Sequence, residues 1–152
     1  MEEYDWNGNQ VKRKEGKMLL TAKEFVELRT STDPVDYLRA ATEPASIEVW
    51  KEVILNYPKM KIWVANNKTV PLEILEILCK DNDSEIRTAV AMKNKLSSEL
   101  FDILSGDKEE SVRERLVYNK NLPIRVLQKL TQDPVQLISH RATERLRSGK
   151  AD

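Results

Sequence analysis

Residues 70–93 read VPLEILEILCKDNDSEIRTAVAMK. The stretch returns as LSSELFDILSGDKEESVRERLVYNK at 96–120 and as LPIRVLQKLTQDPVQLISHRATE at 122–144. Copies that start at 70, 96 and 122 define a period of 26 residues. A period of that length marks stacked helical units, none of which can bury its apolar face alone. In the first half of each copy, Ile74, Leu75 and Leu78 correspond to Leu100, Phe101 and Leu104, then to Val126, Leu127 and Leu130. Spacings of one, three and four residues put them on one helical face. In the second half, Ile86 and Val90 correspond to Val112 and Leu116, then to Ile138 and Ala142. Each unit therefore reads as two helices, the second short and partly 3₁₀. The fold class expected is all-α: an alpha-alpha superhelix, a right-handed solenoid of short helical repeats.

Two further repeated features fit this frame. Asp81, Asp107 and Asp133 recur between the helices, where a carboxylate can accept backbone N–H bonds and cap the second helix. Pro71 and Pro123 stand where Ser97 stands in the middle copy. Proline is tolerated in the first turn of a helix, whose N–H lacks an intrahelical partner, and serine caps that turn.

Upstream, a weaker unit occupies about 33–68. SIEVWKEVIL aligns with PLEILEILCK and MKIWVANN with IRTAVAMK, with a slip at NYPK. Trp50 falls at the position of Leu75 and Phe101, a core position. Before it, Thr21 and Glu24 have capping-box spacing, Leu20 and Phe25 have staple spacing, and TSTDP ends the helix. Residues 1–17 are polar and unpatterned, so they are expected to form a flexible arm whose Tyr4 and Trp6 could dock on the body or on a partner. Residues 18–150 are expected to form a single helical-repeat domain of about four to five units, with the polar RATERLRSGKAD segment on its last end face.

The pattern V-A-x-N, a variable turn, proline, a leucine-rich helix, aspartate and an apolar-arginine pair is carried by VANNKTVPLEILEILCKDNDSEIR and largely repeated by YNKNLPIRVLQKLTQD. It resembles the HEAT-like repeats and especially the bacterial leucine-rich-repeat-variant repeats, over about residues 45–146. The resemblance implies a stacked-helix superhelix and, by the habit of that class, a recognition surface. Some small bacterial HEAT-like proteins are DNA glycosylases for alkylated bases and look similar at the level of stacked helices. No specific active-site motif of theirs is matched here, and a shared fold does not carry an activity with it.

Composition narrows the function classes. The chain has 152 residues, 40% of them apolar, with only 4 glycines, which suits one ordered helical domain. Twenty-five basic residues balance 25 acidic ones, unlike a strongly cationic nucleic-acid-binding domain. No apolar run approaches the length of a membrane span, and the N-terminus lacks a secretory core, so a cytoplasmic protein is expected. Cys79 is the single cysteine and His140 the single histidine, which excludes the usual zinc spacings within the chain. There is no glycine-rich phosphate loop and no nucleophile elbow. The expectation is a non-enzyme with no metal and no cofactor.

Function, then, is sought where the copies differ. Residues 71–110 hold ten acidic and five basic side chains, while 111–152 hold four and nine. Neighbouring units thus carry opposite charge, which can steer a partner. Lys61, Arg87 and Arg113 recur at the repeat spacing. They form either a partner-facing ladder or a set of bridges to acidic groups of the next unit. The series Trp63, Ala89, Arg115, Arg141 and the series Asn66, Met92, Tyr118, Glu144 do not conserve apolarity, so they are candidates for a recognition face. Trp63 either fills the core between units or anchors an interface. The partner-binding candidates are accordingly Lys61, Trp63, Arg87, Arg113, Arg115, Tyr118 and Arg141, and the expected partner is another protein. Two alternatives stand beside it: a nucleic-acid-binding protein using the same cations on one face, and a self-associating structural module.

Overall fold

The computed structural model describes residues 17–19 and 21–149, together with the backbone of 3–4 and 10–11. Of the arm expected over residues 1–17, only Lys17 and the backbone of 3–4 and 10–11 are described; Trp6, the Tyr4 side chain and the staple partner Leu20 lie outside these residues. Glu3–Tyr4 and Gln10–Val11 form a two-residue antiparallel pair. Apart from an isolated bridge between Leu19 and Ala45, all other regular structure among the described residues is helical, so the fold is all-α.

The described helices form five successive pairs. The first pair is α1 (Ala22–Thr30) and α2 (Pro34–Thr42). The second is α3 (Ile47–Asn56) and α4 (Lys61–Asn66), joined through a 3₁₀ turn at Pro58–Met60. Then come α5 (Leu72–Leu78) with α6 (Ser84–Ala91), α7 (Ser98–Ser105) with α8 (Glu110–Val117), and α9 (Ile124–Leu130) with α10 (Gln136–Arg147). The slip at NYPK is the 3₁₀ turn. In the three well-formed units the second helix is not shorter than the first, contrary to the sequence reading: α6 is longer than α5, α8 equals α7, and α10 is the longest of the described helices. Only in the weaker upstream unit is it shorter, α4 against α3. Nothing in QLISHRATERLR breaks a helix, and the chain leaves it only at Gly149, where φ is +62°.

Local chemistry sets the boundaries. The Thr21 hydroxyl accepts the Glu24 N–H at 3.0 Å, as the capping spacing predicts. Ser97 caps α7 through the Leu100 N–H, and Pro71 and Pro123 occupy the same position before α5 and α9. The repeated aspartates sit two residues before the N-cap positions Asp83, Glu109 and Val135. Asp81, Asp107 and Asp133 accept the N–H two residues on, at Asp83, Glu109 and Val135, at 2.9–3.0 Å. They shape the turn that leads into the second helix, while Asp83 caps α6 through the Glu85 N–H.

Packing follows the period. Ile74, Leu100 and Val126 are buried, as are Leu78, Leu104 and Leu130 one turn on. In the second helices Val64, Val90, Leu116 and Ala142 are fully buried at one position and Ala65, Ala91 and Val117 at the next. Helix α4 packs on α6, α6 on α8 and α8 on α10, while α3 packs on α5 and α7 on α9. Each fully buried aliphatic side chain contributes roughly 1.5–3 kcal/mol. The small residues at 65 and 91 let the second helices approach closely. Trp50 is fully buried against Phe25, edge to face at 5.1 Å, which joins α3 to α1. No helix among the described residues is long and apolar enough to cross a membrane.

Candidate functional site

The first candidate ladder exists in space, but its side chains point along the stack. The Lys61 ammonium reaches Asp81 at 2.8 Å. Arg87 grips both oxygens of Asp107, from Nε at 2.7 Å and from Nη2 at 3.0 Å. Its Nη1 donates to the carbonyls of Asp81 and Asn82. Arg113 repeats this one unit on. Its Nε and Nη2 hold Asp133 at 2.7 and 3.2 Å, and its Nη1 donates to the carbonyls of Asp107 and Lys108. Arg87 is only 5% exposed. Of the two readings of this ladder, bridging between units describes what the side chains do. A fork-to-fork arginine–carboxylate pair is directional as well as strong, so it fixes the register of each unit on the next.

The electrostatics follow from this geometry. Burial pushes the Asp107 carboxyl up, but hydrogen bonds from Arg87 and the Glu109 N–H, with the Arg87 and Arg113 charges, outweigh it and hold the group below its ordinary value. The same balance lowers Asp81 and Asp133. Because these pKa values are depressed on folding, the stabilisation is fully present above the ordinary value of 3.8 and is lost as pH falls through the folded values. Thermal melts from pH 7 to pH 2 should show Tm steady down to about 4 and falling below it, with a flatter profile in Asp107→Asn. A Tm that stays level to pH 2 in the parent protein would contradict this account.

Apart from buried Ala89 and half-buried Trp63, the two variable series lie exposed along α4, α6, α8 and α10 and their C-caps. Trp63 is half-buried and packs against the edge of the core. The Arg29 guanidinium stacks 3.3 Å from its ring centre and 4.0 Å from that of Tyr37, and the two rings meet edge to face at 6.3 Å. Arg29 also donates to the Tyr37 hydroxyl at 3.2 Å, while its buried Nε finds no acceptor. A cavity of about 80 Å³ lies among Arg29, Tyr37, Trp63 and Asn66. Ala89 is buried, and Met92 stands exposed beside it. Further along, Tyr118 is 48% exposed, with the Arg141 guanidinium 5.7 Å from its ring centre. Arg141 is tied to Glu144 at 3.2 Å, and interaction with Tyr118 and then Glu144 raises its pKa. Exposed Arg115 shares a hollow with Tyr118, Thr88, Ser111 and Glu114. The structure thus brings Arg115, Tyr118 and Arg141 together and places Trp63 in a separate cluster with Arg29 and Tyr37.

A third series was missed in the sequence. Asn67, Lys93, Asn119 and Arg145 occupy one repeat position. Each donates to backbone carbonyls of the preceding unit. The Asn67 amide reaches the carbonyls of Ala40 and Glu43, and the Asn119 amide those of Ala91 and Lys93. Lys93 Nζ lies 2.6 Å from the Asn67 carbonyl, and Arg145 Nη1 bonds the carbonyls of Val117 and Asn119. Burial pushes the Lys93 ammonium down to about 8 and also lowers Arg145. The common property is an N–H donor that meets a backbone carbonyl one unit back.

Other chemistry-bearing groups stay apart. Cys79 is buried and donates to the Glu76 carbonyl, and burial raises its thiol. His140 is exposed beside Glu144 at 3.4 Å. Among the described residues, no three His, Cys, Asp or Glu side chains converge as metal ligands. No protein-family model, curated protein or solved structure matches this chain.

Proposed function

We propose that the chain is a non-enzymatic recognition module: a right-handed alpha-alpha superhelix of HEAT-like or leucine-rich-repeat-variant type that binds another protein on its second-helix side. The observation that carries this reading is the exposed Arg115–Tyr118–Arg141 cluster. Arg87 and Arg113 are consumed by contacts between units, whereas Arg115 has no ion pair among the described residues. Tyrosine and arginine supply much of the energy of protein interfaces, because both combine a large apolar body with directional donors. The closer packing among the second helices supports a stack that bends toward their side. A partner would then meet a concave row of anchors, already held by the stack.

The nucleic-acid alternative asked for Lys61, Arg87, Arg113, Arg115 and Arg141 on one open face. Three of these five are bound to carboxylates of the next unit, so the protein-binding reading is preferred.

The test is a binding measurement on a partner recovered from native lysate. Tyr118→Ala and Arg115→Glu should each weaken it by about tenfold or more while leaving Tm unchanged. Equal affinity of both variants and the parent chain would reject the cluster as the contact surface.

A further inference from the structure

The series Asn67, Lys93, Asn119, Arg145 closes the same kind of carbonyl bond with two kinds of donor. At Asn67 and Asn119 a neutral amide suffices. At Lys93 and Arg145 a full charge does the work, although the bond to the carbonyl needs none. Charge in a partly buried place is unfavourable unless it meets a counter-charge. Burial alone accounts for the lowered pKa of Lys93, with no carboxylate contributing. Among the described residues the Lys93 ammonium has one acceptor, the Asn67 carbonyl, so it keeps N–H donors to spare.

Its surroundings have the same sign. Lys68, Lys93 and Lys95 line one groove of about 570 Å³, with Thr69 and Asn94 as polar neighbours and Val70, Leu75 and Met92 as apolar wall. No Asp or Glu lines it. Two units on, the corresponding groove brings Arg141, Arg145 and Arg147 together with Tyr118 and Ser148, here with one carboxylate, Glu144. In both, the cation of the Asn67 series stands beside two further cations.

We propose that the Lys93 groove is an oxyanion site that takes a phosphate group, with Lys93 as its inner cation and Lys68 and Lys95 at its rim. A phosphate there supplies the missing counter-charge, and three ammonium groups offer the donors that its oxygens accept. The apolar wall leaves room for a small organic body on the phosphate. The proposal is independent of the protein-binding reading, because neither Arg115 nor Tyr118 lines this groove.

The test uses the full chain and two substitutions that the stack already tolerates at this position. Lys93→Asn reproduces Asn67 and Asn119, and Lys93→Arg reproduces Arg145. Inorganic phosphate is titrated at constant ionic strength while backbone amide shifts are followed, with thermal melts confirming that each variant is folded. The parent chain should show saturable shifts at Thr69, Asn94 and Lys95. Lys93→Asn should weaken binding at least about tenfold, and Lys93→Arg should retain it. Shifts that do not saturate in the parent chain, or that persist unchanged in Lys93→Asn, would overturn the proposal. A second arm uses short oligothymidylate to identify the source of the phosphate. Tighter binding than phosphate, lost in both Lys93→Asn and Arg145→Asn, assigns it to a nucleic-acid backbone. Binding no tighter than phosphate assigns it to a small phosphate ester.

Discussion

Replacing Arg87 with alanine is expected to destabilise the protein by about 3–5 kcal/mol, the scale for breaking a buried ion pair from one side. The guanidinium makes two bonds to Asp107 and two to backbone carbonyls of its own unit. Without it, a carboxylate only 6% exposed loses its principal partner. Denaturant titration of Arg87→Ala, Asp107→Ala and the double variant measures the effect. Strong coupling should appear as a double variant far less damaged than the sum of the singles. The exposed pair Lys51–Glu73, 2.6 Å apart, provides the contrast, because solvent screens it and its removal should leave the denaturation midpoint nearly unchanged. If Arg87→Ala costs no more than loss of that exposed pair, Arg87 does not lock the register of the stack.

Replacing Trp50 with alanine should cost a similar amount, about 3–5 kcal/mol, by a different route. Trp50 is fully buried and its ring meets Phe25 edge to face, so truncation opens a cavity where α3 meets α1. Its Nε1–H is buried without an acceptor among the described residues. An unsatisfied buried donor already weakens the native state. Trp50→Phe removes that donor and keeps most of the ring, so it should stay within about 1.5 kcal/mol of the parent. Denaturation midpoints of the two variants separate cavity from polarity. Equal losses in alanine and phenylalanine would show that the indole is held by something other than its apolar volume.

These two residues differ in how far the sequence exposes their roles. Trp50 aligns with Leu75 and Phe101, and the repeat period reports burial directly, so its place in the core was legible. The same holds for the leucines of α5, α7 and α9 and for the caps at Thr21 and Ser97. Arg87 was harder. Its identity and spacing announce a ladder, but the direction of its side chain depends on which aspartate the stacking register brings near. Asp107 lies 20 residues on and belongs to the next unit. The series Asn67, Lys93, Asn119, Arg145 was hidden for another reason: amide, amine and guanidinium look like drift until their shared carbonyl acceptors are seen. Arg29 and Tyr37 lie before the well-formed copies, so no period pointed to their stack on Trp63. Of the candidate face, Arg115, Tyr118 and Arg141 were legible because their positions do not conserve apolarity from copy to copy.

The joints between units have a consequence for how the chain reaches this state. Arg87 bonds Asp107 and Arg113 bonds Asp133 across the same span of 20 residues. The donors of the Asn67 series reach back 24 to 28 residues wherever they occur. Closing any one joint therefore confines a loop of nearly the same length, and the entropy lost is nearly the same at each. Folding can begin at whichever neighbouring pair meets first and spread in both directions like a zipper with many sliders, with no obligatory starting point.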